Sequence, residues 1–137
     1  GAAVNLDRSD PAAIAELPRV NALMKRVLEL DPAYYYAGAH LYFGSILGSL
    51  PVMFGGNPAA SREHFETCLR LTGGKFLLAH VYFARSYAVQ VQDRELFDSL
   101  LTVVETASQD ILPAARLPNA VAKRKSALLR ESAADLF

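Results

Sequence analysis

Apolar residues in this chain recur at three- and four-residue spacings and almost nowhere alternate, so the pattern predicts helices throughout and no strands. In SDPAAIAELPRVNALMKRVLELDP, Ser9 or Asp10 is placed to cap a helix with Pro11 in its first turn, and Pro18 to restart it. Val20, Leu23, Met24, Val27, Leu28 and Leu30 then share one stripe until Asp31-Pro32 ends the helix. The next segment, AYYYAGAHLYFGSIL, is apolar nearly all round, as a helix buried between neighbours should be. Asn57-Pro58 opens AASREHFETCLRLT, with Phe65, Cys68, Leu69 and Leu71 on one stripe, Arg62, Glu63, Glu66 and Arg70 on the polar face, and Gly73-Gly74 as the stop.

KFLLAHVYFARSYAVQV is again apolar on most sides, and Asp93 is a cap for RELFDSLLTVVETASQ. The last helix, from about Pro113 to Leu136, is expected to bury Leu117, Val121, Leu128, Leu129 and Leu136 and to show Lys123, Arg124, Lys125 and Arg130 to water. Pro118 falls where that helix should run uninterrupted.

One connection breaks the usual rule that loops are polar. GSLPVMFGGNP sets Val52, Met53 and Phe54 between Pro51 and the pair Gly55-Gly56. Three consecutive large apolar side chains in a loop need either an internal pocket or a partner.

The helices also repeat. Ala39 to Phe43 reads AHLYF and Ala79 to Phe83 reads AHVYF, 40 residues later. A helix ending Leu-x-Leu precedes each copy. A period of this size built from helix pairs predicts an array in which each pair buries its face against the next. The fold class expected is all-α, a tetratricopeptide-like antiparallel helical repeat array. Its single domain covers residues 1–137, with repeats at about 1–32, 33–72 and 73–109 and a C-terminal helix over 113–136. Phe83, Ala84 and Tyr87, and likewise Phe43, Gly44 and Leu47, imitate the first helix of a tetratricopeptide repeat. Ser61, Phe65, Cys68, Leu69 and Leu71 imitate the second. The loop holding Phe54 is too long for that repeat, and His40 and His80 stand where a large aromatic is usual.

Composition narrows the function classes. Lysine plus arginine and aspartate plus glutamate both number 14, so no global field draws the chain to nucleic acid or anionic lipid. Cys68, the sole cysteine, excludes an intrachain disulfide and reads as core. The chain is long enough for one real core, and no apolar run is long enough to span a membrane. It opens GAAVNLDRSDP, with neither Met nor a signal pattern, and so reads as a processed product or a piece of a longer protein.

LELDPAYYYAGAHLYFG, then FGGNPAASREHFETCLRLTGGKFLLAHVYFARSYAVQVQDRELFDSLL and AKRKSALLRESAADLF, together resemble the T component of TRAP transporter systems. The resemblance covers nearly the whole chain. It implies a periplasmic, lipid-anchored accessory protein with a tetratricopeptide-like fold that forms a trimer and docks the solute-binding subunit of the transporter. It implies no enzymatic activity. Family members are longer, so this chain is expected to begin inside that fold, with the anchor upstream.

Candidate chemistry is sparse. His40 and His80 recur one repeat apart but lack a nearby Cys, Asp or Glu, a poor metal set. Each is expected to fill the large-aromatic position and hydrogen-bond a neighbouring helix, while His64 reads as exposed. No serine sits in a nucleophile elbow, no glycine pattern supports phosphate binding, and Lys123 to Lys125 read as a solvated face. No cofactor, metal or catalytic residue is therefore expected. The aromatics remain. Tyr42, Phe43 and Phe83 read as core, and Tyr34, Tyr35 and Tyr36 cannot all point inward because successive helix residues differ by about 100°. Ligand or partner contacts are expected at Tyr34, Tyr35, Tyr36, Met53, Phe54, Phe76 and Tyr87. The reading is a binding protein that docks the solute-binding subunit and guides an apolar or amphipathic ligand. The alternative is a general peptide-docking scaffold, which should instead present a polar, often basic groove.

Overall fold

The computed structural model of the chain describes residues 11–137, with side chains from Pro18 onward; the Ser9 or Asp10 cap lies outside the described residues. The elements are all helical: α1 (Pro11–Leu30), α2 (Tyr34–Ser49), α3 (Pro58–Thr72), α4 (Leu77–Phe83), α5 (Arg94–Thr106) and α6 (Arg116–Leu136). Short 3-10 turns cover Val52–Phe54 and Pro113–Ala115, and α4 runs on into a π-helical turn, Ala84–Ala88. No strand occurs among the described residues.

Helix ends follow local chemistry. The Asn57 side chain accepts from the Ala60 amide at 3.1 Å with Pro58 in the first turn of α3, and Asp93 caps α5 by accepting from the Leu96 amide at 3.0 Å. Gly73, at φ 62°, ends α3, and the Gly74 amide reaches back to the Leu69 carbonyl at 2.8 Å. Leu30 is the last residue of α1, as Asp31-Pro32 dictates. Pro18 does not restart α1, which runs through it unbroken.

Packing centres on α2, α3 and α4. No residue of α2 from Tyr36 onward is fully exposed, in keeping with its all-round apolar sequence. Phe65 of α3 stacks on Phe83 of α4 at 4.9 Å between ring centroids, and Gly44 of α2 leaves room for Phe65, whose ring lies 3.0 Å from where a Cβ would stand. The buried Ser61 hydroxyl donates to the Gly44 carbonyl at 2.6 Å. Phe97, Leu100 and Leu101 of α5 complete this cluster. Cys68 is buried, and burial pushes its thiol up to about 12. Tyr42 and Phe83 are buried as expected, whereas Phe43 is half-buried.

The α1 stripe is only partly covered: Val20, Met24, Val27 and Leu28 are half-buried, while Leu23 and Leu30 are exposed. Its described tie to α2 is the Tyr42 hydroxyl, which donates to the Asn21 side chain. Leu71, assigned to the apolar stripe of α3, is likewise exposed.

The buried face of α6 differs most from the sequence pattern. Leu117, Val121 and Leu128 are exposed, and the buried residues are Asn119, Ala122, Ser126 and Ala133. Small side chains form the buried contact of α6 with α4 and α5, and of the larger ones expected inside only Leu129 and Leu136 pack, half-buried, against the core. Asn119 holds the contact: its Oδ1 accepts from the Leu77 amide at 2.8 Å, and its Nδ2 donates to the Lys75 carbonyl at 3.0 Å. Neither Lys123 nor Arg130 is a free surface cation. Lys123 donates to the Val104 carbonyl at 2.8 Å, at the C-terminal end of α5, and Arg130 pairs with Asp98 at 2.8 Å and with Glu105. Pro118 sits in the first turn of α6, where its missing amide is harmless.

Candidate functional site

The residues singled out as contacts divide into three places. Tyr34, Tyr35, Tyr36 and Phe76 gather where α2 begins; Met53 and Phe54 lie on the loop beyond its other end, about 20 Å away at the helical rise; Tyr87 belongs to the π turn after α4.

At the first place the chain enters α2 with an unusual backbone. Tyr35, Tyr36 and Ala37 have φ of 49°, 58° and 57°, three successive residues in the left-handed region. That conformation costs about 1–2 kcal/mol for each residue bearing a Cβ, so the surroundings must hold it. The Tyr36 ring stacks on the buried Phe76 ring at 4.8 Å and 10°, and the Cys68 thiol donates to the Tyr36 carbonyl at 3.6 Å. Tyr34 and Tyr35 turn to solvent, Tyr35 meeting the edge of Tyr36 at 5.3 Å. Beside them is an open cleft of about 520 Å³ lined by Ala33, Tyr35, Tyr36, Leu71, Thr72 and Leu112. Phe76 supports this cleft from within the core. The lining is aliphatic and aromatic; its polar side-chain groups are the hydroxyls of Tyr35, Tyr36 and Thr72, and that of Thr72 already donates to the Cys68 carbonyl at 2.9 Å.

At the second place the loop presents its apolar side chains outward: Val52, Met53 and Phe54 are 72%, 82% and 70% exposed. They are not an internal plug. Their backbone is nevertheless fixed. The Pro51 carbonyl accepts from the Phe54 amide at 2.9 Å and from the Gly56 amide at 3.0 Å, the Gly55 amide donates to Val52, and the Asn57 amide returns to Leu47 at 2.9 Å. Gly55 takes φ 97°, and a Cβ on Gly56 would stand 1.9 Å from the Leu50 carbonyl oxygen, so both positions require glycine.

Tyr87, at the third place, is half-buried against Phe83 with the Arg62 guanidinium 5.8 Å from its ring centroid. It touches neither of the other two groups.

The histidines make no shared site with each other in the way the repeat suggested. His40 meets His64, not His80: their Nδ1 atoms are 2.9 Å apart, and His64 is half-buried rather than exposed. Burial lowers both from the ordinary histidine value; Arg70 adds to the lowering at His40, and Glu63 opposes it at His64. His80 is buried and donates from Nε2 to the Gly74 carbonyl at 3.0 Å, in the turn before its own helix instead of on a neighbouring one. Among the described residues no group of three or more His, Cys, Asp or Glu side chains could hold a metal, and no helix is long and apolar enough to cross a membrane.

Sequence reasoning missed the His40–His64 pair because the two residues belong to different periodic patterns. It missed the left-handed entry to α2 because tyrosine and alanine carry no signal for positive φ. A third omission was Asn119, a polar residue on a helix that read as an apolar stripe.

The family model described as TRAP transporter T-component matches residues 1–137, the whole chain, and the chain belongs to that family. It is thereby an accessory component of a TRAP transport system, in a family of transporter subunits and not of known enzymes. Comparison with curated proteins gives no match.

Proposed function

We propose that the chain is the periplasmic docking subunit of its uptake system and holds the solute-binding subunit through the Val52–Phe54 loop. The observation that carries this reading is an exposed apolar triplet on a backbone already fixed by its own hydrogen bonds. A preset loop loses little entropy on docking, and a Phe side chain moved from water into a partner contributes roughly 1.5–3 kcal/mol.

The cleft beside Tyr35 and Tyr36 is the binding place for an apolar or amphipathic ligand, since its walls offer aromatic and aliphatic surface with no charged side chain. Consecutive helix pairs, α2 with α3 and α4 with α5, suit a tetratricopeptide-like array forming one domain over the chain. Exposed Leu23 and Leu30 on α1 suit assembly into the trimer. Lipid anchoring of the intact protein belongs to the same reading.

Titrating the purified solute-binding subunit of the same transport system into this chain tests the proposal. Saturable binding at micromolar concentration or tighter supports it, and no binding at about 100 μM, short of roughly 5.5 kcal/mol of affinity, overturns it.

A further inference from the structure

The outward face of α6 carries an apolar stripe at helical spacing: Leu117, Val121 and Leu128 are 75%, 39% and 57% exposed. Lys125 lies on the same stripe, four residues after Val121 and three before Leu128. Its ammonium is 5.9 Å from the centroid of the Tyr82 ring on α4, and the Arg85 guanidinium is 4.7 Å from that same centroid. Arg94, Arg116 and Arg130 are each paired with a carboxylate, but among the described residues Arg85 and Lys125 have none. Two like charges drawn to one ring repel each other, and an aromatic face holds a cation only weakly. An anion placed between them relieves both.

A Cβ on Gly48, just before the loop opens, would stand 2.3 Å from the Ser86 carbonyl oxygen, and Arg62, in the helix that follows the loop, sits over Tyr87. Both stems of the loop therefore meet the π turn, Gly48 at Ser86 and Arg62 at Tyr87, one and two residues after Arg85.

We infer that Tyr82, Arg85, Lys125, Val121 and Leu128 form a second docking surface for an acidic, amphipathic segment of the solute-binding subunit. Its carboxylates meet Arg85 and Lys125, where the guanidinium fork suits a carboxylate, and its apolar side chains cover Val121 and Leu128. Charge complementarity selects this occupant: the patch offers two cations that no carboxylate among the described residues neutralises, beside apolar surface. The inference rests on the docking reading above and names the chemistry the partner must bring.

The test compares wild type, Arg85→Glu/Lys125→Glu, Leu128→Asn and a charge-matched control, Arg19→Glu/Lys25→Glu, for binding to the purified solute-binding subunit. All altered positions except half-buried Lys125 are exposed, and circular dichroism checks each fold. The expected result is a loss of about tenfold or more for the Arg85/Lys125 pair at about 0.05 M salt, shrinking at about 0.5 M as screening shortens to a few ångströms. Leu128→Asn weakens binding at both salts, and the control pair binds as wild type. If wild type binds and the Arg85/Lys125 variant binds equally well, this surface is wrong while the docking reading stands. If wild type does not bind, both fall. Should sedimentation show instead that the Arg85/Lys125 and Leu128 changes dissociate a wild-type oligomer without altering subunit binding, the occupant is a second copy and the inference is overturned.

Discussion

His40 on α2 and His64 on α3 meet nitrogen to nitrogen, Nδ1 to Nδ1 at 2.9 Å, so one ring donates and the other must accept. Two protonated rings cannot make that bond. Burial is the chief cause that lowers His40, His64 and His80 from 6.5. The folded chain therefore binds fewer protons than the unfolded one just below that value. The resulting stability is complete above about pH 6.5 and is lost as pH falls toward the lowered folded values. The urea midpoint should be lower at about pH 5 than at about pH 7.5, where carboxylates stay mostly ionised. His64→Phe, which keeps a ring against Phe43 but does not titrate, should flatten that dependence. An unchanged dependence would remove the pair from the explanation.

Asn119 satisfies two backbone groups at the entrance to α4, the Leu77 amide and the Lys75 carbonyl. Asn119→Ala leaves the Leu77 amide buried without a partner and opens space under α6. It should cost about 2 kcal/mol or more by urea unfolding, against about 1 kcal/mol for the exposed cap change Asn57→Ala. Equal losses would mean that α6 is held by its small-residue contacts instead.

Much of the fold was legible because helix ends are local. Asn57, Asp93 and the Gly73-Gly74 pair each act on groups within a few residues, so a short window contains both the cause and the effect. Which side of α6 faces inward is not local. Leu117, Val121 and Leu128 outweigh Ala122, Ser126 and Ala133 in any count of hydrophobicity, yet the small ones face the neighbouring helices. The same holds at the candidate sites. The length and apolar content of the Val52–Phe54 loop could be read directly, whereas the stacking of Tyr36 on Phe76 depends on a left-handed turn that its residue types do not announce.

Tyr35 is exposed and held at φ 49°, which gives a counter-intuitive expectation. Glycine removes the left-handed penalty, while its extra freedom in the unfolded chain and the lost edge contact with Tyr36 offset part of the gain. Tyr35→Gly should stabilise by about 0.5–1 kcal/mol, and Tyr35→Ala should give no gain. Thermal unfolding of the two variants side by side measures this, and a loss for Tyr35→Gly would mean that the turn is not strained.

His80 is buried with one hydrogen bond, to Gly74, and its Nδ1 has no partner. Filling its space should therefore matter more than keeping its polarity. His80→Phe should cost less stability than His80→Ala, which leaves a cavity, with the difference read from urea midpoints. A larger loss for phenylalanine would show that the Gly74 bond, not volume, dominates.

Phe54→Ala separates docking from internal packing, because the loop's apolar side chains face outward from a fixed backbone. Two quantities on that variant decide it: the chain's own unfolding midpoint and its affinity for the solute-binding subunit. The midpoint should stay within about 0.5 kcal/mol of wild type, as for an exposed position, while the affinity falls by about tenfold or more, the equivalent of about 1.4 kcal/mol. A stability loss of about 2 kcal/mol or more with unchanged affinity would contradict the account and make the loop part of the chain's own packing.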